Sequence, residues 1–326
     1  MLNTFAFSIF TNHSQRETIL FGVFSIVIIV FLLIDLGWFN KEAHKISAKS
    51  ALYQSIFWVV ISALFGLLIY IYDDTGDSAN NAVEYLSAYL TEKALSIDNI
   101  FVIILILKYF QVKEEYYHRI LFWGIIGAVI FRAIFIFIGA ILIAKFHWIL
   151  YIFGVFLIYS GIRIYFEDGD EKIEPEKNPI LKLCRKYLPV SIDDHGGRFL
   201  VRENGKRMFT HLFLVIVLIE TTDLIFAVDS IPAAFAITQN PFLIYTSNIF
   251  AVMGLRAMFF LLAGIIDKFY LLQKGLSIIL FFIGAKMMLD IWHIKLNPYL
   301  SFTVIIATLT LSIIFSVIIP RKVEKD

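Results

Sequence analysis

Cysteine is almost missing: Cys184 is the only one in 326 residues, and it falls in a charged stretch. A single thiol permits neither a disulfide framework nor a thiolate metal cage within one chain. Charge is scarce too, at 17% of residues, and nearly cancels to a net +1. That balance excludes a general polycation, so no nucleic-acid partner is expected. The seven histidines, His13, His44, His118, His147, His195, His211 and His293, lie at the ends of apolar runs or between them. Nitrogen and sulfur ligands for Zn²⁺ or Cu⁺ are therefore missing at depth. Nor is there a small-residue cleavage pattern after Arg16 and Glu17, so the first apolar run is expected to be a retained helix and not a signal peptide.

What remains is apolar. Hydrophobic residues make up 59% of the chain, aromatics 16%, and the mean hydropathy is +0.79. Repeated runs of about 20 apolar residues match the length a helix needs to cross a bilayer. They predict an all-α polytopic membrane protein of about nine transmembrane helices, over residues 19–38, 51–72, 82–106, 120–144, 148–166, 210–236, 242–266, 270–292 and 298–320. Lys41, Lys45 and Lys49 between the first two runs, and Lys108, Lys113 and Arg119 after the third, mark cytoplasmic connections. The N-terminus is then outside, and the C-terminus and the charged stretch 167–208 are cytoplasmic. Within that stretch Arg198 to Phe209 alternates around Asn204-Gly205, the signature of a β-hairpin turn.

Three carboxylates and a proline interrupt the sixth run, at Glu220, Asp223, Asp229 and Pro232, and Glu92 and Asp98 interrupt the third. Each ionised group at the centre of a spanning helix costs roughly 2.5 to 3.5 kcal/mol, so chance is a poor explanation. Laying Asp98 on Asp229 lays Glu92 on Asp223. The resemblance extends past the acids, at a shorter and nearly constant offset of its own: Phe131-Arg132-Ala133 matches Leu255-Arg256-Ala257, Lys145-Phe146 matches Lys268-Phe269, and Gly161-Ile162-Arg163 matches Gly284-Ala285-Lys286. Spans three to five thus repeat as spans six to eight. A unit with an odd number of helices must return upside down, which is the inverted plan of many secondary transporters. The expected organisation is a two-helix segment over 1–81, a first repeat over 82–166, a cytoplasmic loop over 167–208, a second repeat over 209–295, and a last helix and tail over 296–326.

Positions six apart on an unbroken helix point about 240° apart, so paired acids could share a ligand only if the helix unwinds near them. Pro232 would do this beside Asp229, with Ser230 taking up freed backbone groups; Asn99 and Ser96 would act for Asp98. Carboxylates with Asn, Ser and Thr oxygens form a hard site, suited to Mn²⁺, Mg²⁺ or Ca²⁺. Against Arg132 and Arg256, five acids leave three negative charges in excess, more than one divalent ion neutralises, so metal binding is expected to displace protons. The arginines are either counter-ions or a stand-in cation between cycles. Asp35, near the end of the first span, is a further supporting candidate.

Three stretches carry a family resemblance: Glu92 to Val102, Glu220 to Ala233, and Thr246 to Ala257 with its Ser247, Asn248 and Arg256. Together they resemble the TerC/Alx family of bacterial integral membrane proteins, over essentially the whole chain. The resemblance implies a manganese exporter of the inner membrane, placed with LysE-type transporters and tied to tellurium resistance and alkaline response. It carries the metal-site role onto Glu92, Asp98, Glu220, Asp223 and Asp229. The expectation is a transporter and not an enzyme, with Mn²⁺ as cargo and no bound cofactor, and with homo-oligomers open. Asp98 and Asp229 are the central ligands; Glu92, Glu220 and Asp223 are further ligands or proton carriers; Asn99, Ser230, Arg132, Arg256 and Asp35 support them. The alternatives are a non-transporting scaffold or assembly factor linked to tellurium or alkaline stress, recruiting partners through 167–208, and an intramembrane aspartyl protease built on Asp98 and Asp229, which lacks the expected Gly-x-Gly-Asp surroundings.

Overall fold

The computed structural model describes residues 15–38, 48–73, 76–146, 148–166, 179–191, 196–203, 206–263, 271–292, 294 and 296–318. Helices fill the apolar runs. They are α1 (Gln15–Trp38), α2 (Ala48–Tyr72), α3 (Ser78–Tyr109), α4 (Glu114–Lys145) and α5 (Ile149–Phe166). A short α6 (Pro179–Tyr187) and two strands, β1 (Leu200–Glu203) and β2 (Lys206–Phe209), follow. The second half holds α7 (His211–Ile237), α8 (Pro241–Met253), α9 (Leu255–Leu262), α10 (Leu271–Leu289) and α11 (Pro298–Ile318).

Among the described residues, seven helices are long and apolar enough to cross a membrane, counting α8 and α9 as one. Against the nine spans expected, α1 offers only a shorter apolar segment, Thr18–Ile34. α3 is not among the seven; Glu84, Glu92, Lys93 and Asp98 fall inside its 32 residues.

Local chemistry sets the element ends. Asn240 caps α8, its side chain accepting from the Phe242 amide at 2.9 Å, with Pro241 in the first turn; Asn297 and Pro298 begin α11 the same way, with Tyr299 as donor. Proline there gives up only an amide that has no helical partner anyway. The turn from α3 to α4 is tight: Gln111 takes a positive φ of 49° and the Val112 amide reaches back to the Leu107 carbonyl. Glu114 and Glu115 then open α4 at its positive end.

The α8–α9 segment is the axis of the molecule. Its apolar window is 94% buried, against 17% for α11, so α8–α9 is enclosed by protein whereas α11 presents most of its surface outward. α1 and α2 cover one side, where Phe24 and Phe65 pack on Phe250 with ring centroids 5.4 and 5.2 Å away. α5 and α10 run antiparallel on another, in backbone contact. A Cβ on Gly161 would meet the Ser277 carbonyl oxygen at 2.7 Å, and one on Gly284 would meet the Gly154 carbonyl oxygen at 2.7 Å. These contacts are reciprocal: laying Gly161 on Gly284 lays Gly154 on Ser277.

The hairpin in the charged stretch forms as expected, with Glu203 paired to Lys206 and Leu200 to Phe209; Asn204 and Gly205 lie outside the described residues. Two strands alone are marginal, and this pair is anchored. The Arg119 guanidinium lies 4.8 Å from the Phe199 ring centroid, and the Thr210 amide bonds to the Phe199 carbonyl.

One expectation fails. α7 runs unbroken through Pro232, and α3 runs unbroken past Asp98. Packing holds the proline turn: Ile231 through Phe235 are all buried, with Phe235 laid on Gly139 of α4. The interruption falls instead at Gly254, between α8 and α9, where Lys93 of α3 donates to the Ala251 carbonyl at 3.3 Å. That carbonyl is one of the last of α8, the kind a helix end leaves without an amide partner.

Candidate functional site

Arg132 is the centre of the buried polar network. It lies on α4 with 0% exposure, and its guanidinium bonds to three helices at once. One terminal nitrogen, Nη1, pairs with Glu92 Oε1 of α3 and donates to Asn248 Oδ1 of α8 at 2.6 Å; the other, Nη2, donates to Asp223 Oδ1 of α7 at 3.2 Å. Asn99, two turns beyond Glu92, donates its Nδ2 to the same Asp223 oxygen at 3.2 Å. Removing two carboxylates and a guanidinium from water is expensive, and such a cluster persists only where its hydrogen bonds are good. Glu92 and Asp223 are the two acids that the sequence match between the halves aligns, so a single cation joins the aligned pair.

Because α7 is unbroken, its acids face different neighbours. Asp223 turns to α3 and α4, whereas Asp229 accepts from Ser160 Oγ of α5 at 2.9 Å and lies within electrostatic reach of Arg163. Glu220 lies along Gly124 and Gly127 of α4, where a Cβ on Gly127 would run into its carboxyl group. Asp35 and Asp98 belong to α1 and α3, with side chains outside the described residues. Arg256 is buried in the first turn of α9. The four acids whose side chains are described, Glu92, Glu220, Asp223 and Asp229, are thus not gathered at one point; among the described residues no three His, Cys, Asp or Glu side chains come together closely enough to hold a metal ion.

Several buried atoms of this region have no hydrogen-bond partner among the described residues: Glu92 Oε2, both Glu220 carboxyl oxygens, Asn99 Oδ1, Ser230 Oγ and Thr91 Oγ1. Ser230 therefore does not serve the backbone as expected. Ser96 does bond to backbone, taking the Glu92 carbonyl at 2.8 Å without unwinding α3. Unpartnered buried oxygens of this kind call for a ligand or water, and an all-oxygen set suits a hard divalent cation.

Sequence reasoning met Asn248 only as part of a family motif and gave it no role at the site, and it passed over Ser160 and the glycines beneath Glu220. Asn248 carried a signal, since Thr246, Ser247 and Asn248 are three successive polar residues in an apolar run and all are fully buried. Ser160 and Gly127 carried none beyond their small size.

Residues 77–324 match the family described as Integral membrane protein TerC family. The chain belongs to the TerC family. It is accordingly an integral, multi-pass membrane protein. Among its TerC relatives are an uncharacterized membrane protein of Rickettsia felis, 46% identical over 93% of this chain and 98% of its own length, and one of Myxococcus xanthus, 40% identical over 93% of both. A Photorhabdus laumondii protein named as a candidate membrane-bound redox modulator, Alx, is 40% identical over 92% of this chain and 96% of its own length. No solved structure matches the chain.

Proposed function

We propose that this protein exports divalent metal cations, Mn²⁺ first among them, across the bacterial inner membrane in exchange for protons. It is a transporter and not an enzyme. One observation carries this: Glu92 and Asp223, equivalent acids of the two halves, meet across one cation inside a buried cluster that is lined by unpartnered oxygens. A hard ion would take the same lone pairs.

In this reading residues 82–166 and 209–295 are inverted repeats, flanked by the 1–81 and 296–326 segments. They rock against each other to expose the acids first to the cytoplasm and then to the outside. The reciprocal glycine contact between α5 and α10 supports the inversion, because swapping the two copies reproduces it. Asp98 and Asp229 join Glu92, Glu220 and Asp223 as ligands or proton carriers during the cycle, with Asn99, Ser230 and Arg256 in support. The N-terminus is outside, and the stretch 167–208 and the C-terminus are cytoplasmic. The redox role in the relatives' name finds one thiol here, Cys184, so thiol–disulfide chemistry would need a second molecule.

The test is Mn²⁺ movement into liposomes holding the purified protein, with and without a pH gradient. Transport that the gradient drives, and that Asp98→Asn and Asp229→Asn abolish, supports the proposal. Equal uptake by both variants and the unaltered protein ends it.

A further inference from the structure

We propose that Arg132 is an internal competitor of the transported ion: its guanidinium holds the place between Glu92 and Asp223, and yields it when a divalent cation bridges the two acids. The inference deepens the transport reading and rests on it.

The three atoms that Arg132 holds are all oxygens: Glu92 Oε1, Asn248 Oδ1 and Asp223 Oδ1. Two carboxylates and an amide carbonyl are the ligand class that Mn²⁺, Mg²⁺ and Ca²⁺ take. A lone pair that faces a guanidinium faces a metal ion equally well. The guanidinium leaves its pair of carboxylates one charge short of neutral; a divalent ion does not.

The network is also incompletely satisfied. Among the described residues Arg132 Nε makes no bond, and Glu92 Oε2, Asn99 Oδ1 and Asn248 Nδ2 are buried without partners. A static counter-ion at 0% exposure is expected to use its donors fully, since each unmet polar atom weakens the fold. Part-use is what a group needs if it is to leave and return. Arg132 bonds to both halves at once, so its departure would release the contact that ties α3 to α7 through α4. Ion binding and the relative movement of the halves are then one event.

The experiment measures Mn²⁺ binding to the full-length protein in lipid nanodiscs by the loss of the free Mn²⁺ electron spin resonance signal. A competitor that occupies the site about nine-tenths of the time weakens apparent affinity about tenfold. Arg132→Gln is therefore expected to bind Mn²⁺ about tenfold more tightly while its net transport falls, and added methylguanidinium should compete with Mn²⁺ in this variant and not in the unaltered protein. Arg132→Lys keeps a buried charge but loses the fork that spans two acids, and it serves if the glutamine variant does not fold; its affinity should rise by a smaller factor. Binding that is unchanged or weaker in the folded variants would overturn the inference and leave the transport reading standing. An unaltered protein that binds none of Mn²⁺, Mg²⁺ and Ca²⁺ would overturn both.

Discussion

Glu92 and Arg132 face each other with side chains 2% and 1% exposed, so neither charge has water to fall back on. Removing one partner of such a pair costs about 3–5 kcal/mol, whereas replacing both with apolar groups is often nearly neutral. Glu92→Leu is expected to lose that amount, and Glu92→Leu with Arg132→Met to regain most of it, with thermal unfolding in nanodiscs as the measurement. Independent losses that simply add would show that the two side chains do not act as a pair. Gly127 offers a gentler probe. A Cβ there meets the end of a flexible side chain, Glu220, and not backbone, so Gly127→Ala should leave the melting temperature within a few degrees of the original while displacing the carboxylate. Mn²⁺ uptake in liposomes should fall, and unchanged uptake would remove Glu220 from the site. At this scale the sequence was informative about identity and poor about partners. Each acid was visible because an ionisable residue in an apolar run is expensive, but which neighbour it meets depends on helix rotation, which no residue spacing records.

The antiparallel pair of α5 and α10 approaches to backbone contact only because Gly154, Gly161 and Gly284 have no side chains. A Cβ on Gly161 or on Gly284 strikes a carbonyl oxygen at 2.7 Å, which cannot swing aside. Gly161→Val and Gly284→Val should each destabilise by about 1–3 kcal/mol or more, as overpacking does. The reciprocity of the contact predicts losses of similar size in the two variants, and a large loss in one alone would speak against equivalence of the halves. Helix positions were legible from hydrophobic runs and from the Asn-Pro starts at Asn240 and Asn297. The site of the interruption was not. Pro232 drew attention as a breaker, yet α7 is continuous through it among buried neighbours, while Gly254, bland in sequence, ends α8 where Lys93 can take a carbonyl. Propensity proposes breaks in single helices, and packing decides among them.

The chain as a whole carries its own topological reporter, since Cys184 is the only thiol and is partly exposed on α6. A membrane-impermeant maleimide should label it in inside-out vesicles and not in intact cells, with no substitution needed; labelling of intact cells would invert the proposed orientation. Matching motifs across the halves are what the sequence offers for a duplicated architecture, whereas the enclosure of α8–α9 left no such trace, because burial on all sides leaves no periodicity to detect. Length has its own consequence. α3 and α4 have 32 residues each, about 48 Å of helix, against a hydrocarbon layer of about 30 Å. Helices that long must tilt or stand proud of the bilayer, and each choice has a different elastic penalty in thin and thick lipid. The turnover of this protein should therefore depend on acyl-chain length, with an optimum that reports how steeply the two helices lean.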